Sequence, residues 1–275
     1  MRLDAHQHFW HYDPVHYGWM TGAMGALERD FLPEDLAPQL RAAGIDGTVA
    51  VQARHAVEET EFLLRLADAH PFIRGVVGWV DLRHPDVAES LETVAANPKL
   101  VGVRHVVHDE PDDDFLLRSD FRQGIGLLRE FGLTYDLLLF PKHLSRAVRL
   151  VEEFPDQPFV LDHLAKPCIR DGLFEPWATD LRRLAACPNV TCKLSGMVTE
   201  ARWDAWTPDQ LHPYLDVAVE AFGADRLMLG SDWPVCTLAA DYGQTTGVVM
   251  DYVQGLGPDA AAAILGGTAA RVYGL

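Results

Sequence analysis

The chain has little basic charge, little cysteine and no long apolar run. Lys and Arg number 23 against 40 Asp and Glu, a net charge of −17. A surface this acidic repels phosphate backbones and anionic headgroups, so nucleic acid and membrane are excluded as partners. The four cysteines (Cys168, Cys187, Cys192 and Cys236) form no CxxC pair and no zinc-ribbon spacing. In a chain of 275 residues they read as free thiols in a reducing compartment rather than as a disulfide framework. No apolar stretch approaches the ~18 residues of a membrane span. Met1-Arg2-Leu3-Asp4 sets a carboxylate where the apolar core of a signal peptide would develop. A cytoplasmic location is the expectation. Linkers and low-complexity tracts are also missing, so residues 1–275 read as one domain. The sequence is silent on oligomeric state.

What is there is alternation. Short apolar runs rich in Val, Ile and Leu recur: Arg2 to His8, Gly47 to Gln52, Ile73 to Val80, Leu100 to Val107, Thr134 to Phe140, Phe159 to His163, Val190 to Leu194 and Arg226 to Gly230. They are nearly continuous, as parallel strands buried on both faces are. Between them lie helical patterns. One opens at Pro33-Glu34-Asp35, where Pro suits the first helical position and the acids suit the positive end, and stops at Gly44. Others run over Glu58 to Ala69, Val87 to Ala96, Phe121 to Phe131, Lys142 to Phe154, Pro176 to Ala186, Asp209 to Phe222 and Thr245 to Val253, with a last one over Pro258 to Tyr273. Eight strand-then-helix units in this length predict an α/β fold, a single closed (β/α)8 TIM barrel. A doubly wound sheet would want a Gly-rich phosphate loop after the first strand; His6-Gln7-His8-Phe9-Trp10 stands there instead.

In such a barrel the active site lies at the C-terminal ends of the strands. His6 and His8, two apart on one strand, project to one side and place two imidazoles around a reacting carbonyl, as ligands or as hydrogen-bond donors. Later strand ends deliver Gln52, Trp79, Arg104, His105, His108, Asp136, Asp162, His163, Lys166 and Lys193. The last ends in Gly230-Ser231-Asp232-Trp233-Pro234. Polar groups at the ends of otherwise apolar strands cost desolvation unless they are paired or used. Asp232 also reads as a helix cap and His163 as a core histidine, while a lysine at position 193 in a buried strand needs a carboxylate or a substrate oxygen.

Five segments together carry a resemblance: Asp4-Ala5-His6-Gln7-His8-Phe9-Trp10, Asp30-Phe31-Leu32-Pro33-Glu34-Asp35-Leu36, Asp162-His163-Leu164-Ala165-Lys166-Pro167, Lys193-Leu194-Ser195-Gly196 and Gly230-Ser231-Asp232-Trp233-Pro234. In this order the chain resembles the amidohydrolase superfamily, in its "amidohydrolase 2" branch. Within that branch it is most similar to the sugar-lactone hydrolases of the L-fuconolactonase and L-rhamnonolactonase kind. The resemblance runs to Thr268-Ala269-Ala270-Arg271, where relatives usually have Asn at the position of Thr268. It implies a hydrolase with His6, His8 and His163 around the carbonyl and Asp232 as general base. Metal-rich members place a histidine or a carboxylated lysine after strand five or four. Here Tyr135-Asp136-Leu137-Leu138-Leu139-Phe140 offers no histidine, which argues against a two-metal site. A single zinc on His6, His8 and Asp232 is chemically reasonable, and so is a metal-free site.

The mechanism these parts imply is opening of a sugar lactone to its aldonic acid. Histidine donors or a metal polarise the carbonyl, Asp232 activates water, and the same carboxyl then protonates the leaving ring oxygen. Gln52, Arg104, His105 and Lys193 are expected to hold sugar hydroxyls, and Trp79 and Trp233 to stack on the sugar, although each tryptophan suits core packing equally. The stretch Trp10 to Arg29 is long for a βα loop and is expected to cover the pocket. The alternatives are a zinc-dependent decarboxylase or amide hydrolase of the same superfamily and, from another class, a non-catalytic sugar- or metabolite-binding barrel.

Overall fold

The computed structural model describes all residues, Met1–Leu275. Its strands are β1 (Leu3–Gln7), β2 (Gly47–Val51), β3 (Ile73–Gly78), β4 (Leu100–Val106), β5 (Thr134–Leu138), β6 (Phe159–Leu161), β7 (Val190–Leu194) and β8 (Leu227–Leu229). They form one eight-stranded sheet in sequence order, every neighbouring pair parallel. The helices are α1 (Pro33–Ala43), α2 (Val57–Ala69), α3 (Val87–Ala95), α4 (Ser119–Leu128), α5 (Leu144–Glu153), α6 (Trp177–Ala185), α7 (Met197–Glu200), α8 (Pro208–Phe222), α9 (Tyr242–Gln254), α10 (Pro258–Ala262) and α11 (Thr268–Tyr273). This is a (β/α)8 barrel, as the alternation predicts. No helix is long and apolar enough to cross a membrane.

Two apolar layers hold it together. Leu3, Ala5, Val49, Val51, Val77, Val101, Val160 and Met228 fill the barrel interior, capped from below by Ala269 and Tyr273 of α11. The larger layer lies between strands and helices. Burial on both faces is the reason the strands read as continuous apolar runs.

Three local features position the upper rim. On β1, Asp4 pairs with Thr48 but Gln7 with Ala50, so three steps on one strand match two on the other. Such a bulge re-aims side chains; Ala5 and His6 both face the interior. β8 and β1 meet just beyond β8, where Asp232 N–H donates to His6 O at 2.8 Å and His8 N–H to Trp233 O at 2.7 Å. This close approach requires a glycine before Ser231: a Cβ on Gly230 would lie 2.8 Å from His6 Cβ and 2.9 Å from Ser195 Cβ.

Two departures from the expected helices have a visible cause. α9 begins three residues before Thr245 because Asp241 accepts the Gln244 N–H at 2.7 Å while the Gln244 side chain accepts the Asp241 N–H at 3.0 Å, a reciprocal cap. The last helical stretch is broken between α10 and α11, where Gly266 passes so close to the Met1 carbonyl that no Cβ fits.

Candidate active site

His6, His8, His163 and Asp232 converge at the C-terminal mouth of the barrel. Asp232 Oδ1 lies 3.3 Å from His8 Nε2 and 3.8 Å from Nε2 of both His6 and His163. All four side chains are buried. Hydrogen-bond partners fix the proton positions. His8 Nδ1 donates to the Val51 carbonyl at 2.8 Å, and its Nε2 is turned to Asp232. Arg104 Nη1 donates to His6 Nε2 at 3.3 Å, so the His6 proton sits on Nδ1 and goes to Asp162 at 3.2 Å. Burial holds His6 far below its usual pKa despite Asp162, and it is neutral. His6 Nε2 and His8 Nε2, 3.2 Å apart, thus both face a carboxylate oxygen. Three Lewis bases turned on one point repel one another unless a cation or a proton lies between them. The set is also of the nitrogen-and-oxygen type that zinc takes with an open fourth position, so these residues fit a single zinc ion.

Burial pushes the Asp232 carboxyl up, but His163, His8 and Lys166 outweigh it and hold it below the usual carboxylate range. The group is therefore ionised at neutral pH, the form a base requires. His163 Nδ1 is 2.8 Å from Ser195 Oγ. Gly196, at φ +66°, passes beneath that ring, and a Cβ there would lie 2.7 Å from His163 Cγ.

These groups open onto a cavity of about 330 Å³ lined by His8, Arg104, His163, Lys166 and Asp232, with His108 and Asp109 on its polar side and Trp19, Met24, Val106, Leu138, Phe140 and Val235 on its apolar side. A larger surface groove of about 850 Å³ beside Trp203, Trp206 and His212 has no converging cluster of this kind.

Several residues expected to touch substrate are placed elsewhere. Lys193 is fully buried beneath His6, its ammonium 2.5 Å from Asp136 and 3.0 Å from Asp162: a lysine inside a barrel takes carboxylates as partners. His105 has both ring nitrogens engaged, accepting the Trp79 indole N–H at 3.1 Å and meeting Glu110 at 2.6 Å. Trp79 stacks on His55 outside the cavity. Gln52 gives its amide to the Arg104 carbonyl at 3.1 Å and is wholly buried. Trp233 is wedged edge-on against Phe9 and Phe31, 1% exposed. Arg104 does line the cavity, but its guanidinium is held by Asp162 at 2.9 Å and by the Gln52 carbonyl. Two residues with no role assigned from sequence complete the site: Asp162, fully buried against His6, Arg104 and Lys193, and Lys166, in the cavity lining. Lys166, 2.9 Å from Glu200 on α7, is the cation nearest solvent in the lining.

The long first loop does cover the mouth. Trp10 and Phe31 exchange two backbone hydrogen bonds of 3.0 Å and close its neck, and Trp19 from its body lines the cavity. Trp19→Ala is expected to raise the KM for substrate about tenfold, the worth of one partly buried aromatic, with kcat much less affected. Steady-state kinetics check this, and an unchanged KM would remove Trp19 from the binding surface.

Comparison with known proteins bears on this geometry. The family model described as "Amidohydrolase" matches residues 3–275. An L-fucono-1,5-lactonase of Burkholderia multivorans is 41% identical, over 100% of this chain and 96% of that protein. A second L-fucono-1,5-lactonase, from Burkholderia ambifaria, is 39% identical over 99% and 95%. A crystal structure of an amidohydrolase from Burkholderia multivorans with bound zinc superimposes with a TM-score of 0.96 at 41% identity, covering 100% of this chain and 99% of that one.

Proposed function

The chain belongs to the amidohydrolase family, and from that premise we propose that it is a lactonase, a hydrolase that opens a sugar lactone to the aldonic acid at the cavity beside Asp232. The observation that carries the reading is the ionised, buried Asp232 carboxylate among three imidazoles at the mouth of the barrel. The names of its relatives make L-fucono-1,5-lactone the first substrate to test.

Asp232 takes a proton from water as the oxygen attacks the carbonyl carbon. The ring C–O bond then breaks, and the Asp232 carboxyl returns that proton to the departing ring oxygen. The acid product ionises near neutral pH and releases one proton per turnover. With the Ser195 hydroxyl donating to Nδ1, His163 carries its proton on Nε2 and presents it to the carbonyl oxygen. Lys166 keeps a cation beside the developing negative charge. His6, His8 and Asp232 would hold a zinc ion, which when bound supplies a Lewis acid for the carbonyl.

A panel of aldonolactones in lightly buffered indicator tests the reading: acid release on at least one 1,4- or 1,5-lactone is expected, and none on any would overturn it. The same panel separates the lactonase from an amide hydrolase, a decarboxylase and a binding-only barrel. Dialysis against chelator is expected to leave measurable turnover, because β5 offers no histidine to complete a two-metal site and the His163 donor to the carbonyl needs no ion. Complete loss restored only by zinc would contradict this.

A further inference from the structure

In the whole chain only five non-glycine residues have left-handed backbone: His163, Leu164, Ala165, Lys166 and Asp232. His163, Lys166 and Asp232 line the candidate site, and Leu164 and Ala165 are the two residues that join the first pair. Such conformations are strained and persist only where the surroundings over-determine them. What over-determines Asp232, at φ +58°, is visible in its neighbours. Ser231 gives both its N–H and its hydroxyl to the Asp4 carboxylate, at 2.8 and 2.6 Å. Ser231 Oγ in turn accepts the Trp233 N–H at 3.0 Å. Asp4 also accepts the Tyr242 hydroxyl of α9 at 3.1 Å and the His6 N–H at 3.1 Å. The residues on both sides of Asp232 are thus tied, directly or through one hydroxyl, to a single buried carboxylate.

Asp4 is wholly buried, and burial pushes its carboxyl up to about 6 although the hydrogen bonds from Ser231, His6 and Tyr242 oppose this. Closing the barrel does not demand this, since the backbone bonds of His6 and His8 to Asp232 and Trp233 already join the edges. We infer that Asp4 is a positioning residue for Asp232: with Ser231 and Tyr242 it locks the turn that aims the general base at the cavity. The inference rests on the reading of Asp232 as the base.

The test is a double-mutant cycle on the full-length protein. Asp4→Asn should lower kcat on the best lactone of the panel by on the order of 10²-fold, the cost of misplacing a catalytic group by ~1 Å, with KM within about threefold. In the Asp232→Asn background the same substitution should cost less than about threefold, because the group it positions is already gone. Where Asp4→Asn does not fold, Ser231→Ala replaces it, with a loss of about tenfold for its one hydroxyl and the same non-additivity. An equal loss in both backgrounds, or a single variant with full turnover, overturns the inference. A crystal structure of the variant gives a readout without activity: Asp232 should leave its left-handed backbone or swing its carboxylate away from His8, and an unmoved Asp232 overturns the inference. If the native protein opens no lactone, the functional reading fails, while the variant structure still decides what Asp4 does.

Discussion

The Asp232→Asn protein is expected to fold normally and to open lactones about 10²–10⁴-fold more slowly, the usual worth of a positioned base. The substitution keeps shape and removes basicity. It also suits the backbone, because asparagine is among the few residues that tolerate the left-handed region, and φ at this position is +58°. Thermal stability should therefore change little. The pH dependence has a definite sign. His163, His8 and Lys166 hold the native carboxyl below the usual range against burial. The active, deprotonated form is then present above that lowered pKa, and turnover falls only as pH drops through it. The acid limb of kcat should accordingly lie below the ~3.9 of an ordinary aspartate. A limb near pH 6 would point to a histidine as the base, with His163 first in line, and so would an Asp232→Asn protein that keeps most of its turnover.

Lys193→Met is expected to cost more in stability than any single change at the cavity surface. The ammonium lies between Asp136 and Asp162, all three fully buried, and the Tyr273 hydroxyl donates to Asp136 at 2.8 Å. Methionine fills the volume but leaves two carboxylates with one fewer cation. Breaking a buried pair in this way costs roughly 3–5 kcal/mol, a fall in Tm on the order of 10 °C for a chain of this size. Activity should fall as well, since the anionic Asp162 that holds the His6 proton depends on this charge. Burial pushes the Asp162 carboxyl up, and Lys193, His6 and Arg104 more than reverse it. Its depressed pKa contributes stability that is present above the unfolded value and lost as pH falls through the folded one. The gap in melting temperature between the native protein and the variant should thus be widest near neutral pH and narrow as pH falls, because protonation relieves the carboxylates left without their cation. Thermal melts of both proteins between pH 4 and 8 check this; equal melting temperatures would mean that Asp136 and Asp162 have other means of neutralisation.

The barrel was legible because parallel strands buried on both faces leave an unambiguous trace, and all eight lie where the apolar runs predict. Several strands end one or two residues before their apolar runs do. Gln52, Val107 and His163 belong to the rim, where the chain has left the ladder. The clustering of His6, His8, His163 and Asp232 was legible through motifs whose spacing survives in one dimension. The roles of the remaining polar residues were not. A polar residue at a strand end looks the same whether its partner is a ligand or another side chain. Lys193 and Gln52 found protein partners, and Trp233 found Phe9 and Phe31. The bulge on β1 was equally hidden, because it depends on the register against β2 rather than on any residue type. Lys166 enters the cavity because four successive residues turn left-handed, a conformation that no propensity of His, Leu, Ala or Lys announces.

The proposed lactonase reaction requires attack of water at the lactone carbonyl, and ring opening in ¹⁸O-labelled water tests it most directly. The native protein should yield an aldonic acid with one ¹⁸O in its carboxyl group and none in the hydroxyl released from the ring, read by mass spectrometry of the product fragments. Label in that hydroxyl would place the attack on the ring carbon, away from the carbonyl that we propose His163 and Asp232 activate, and would contradict the proposed mechanism.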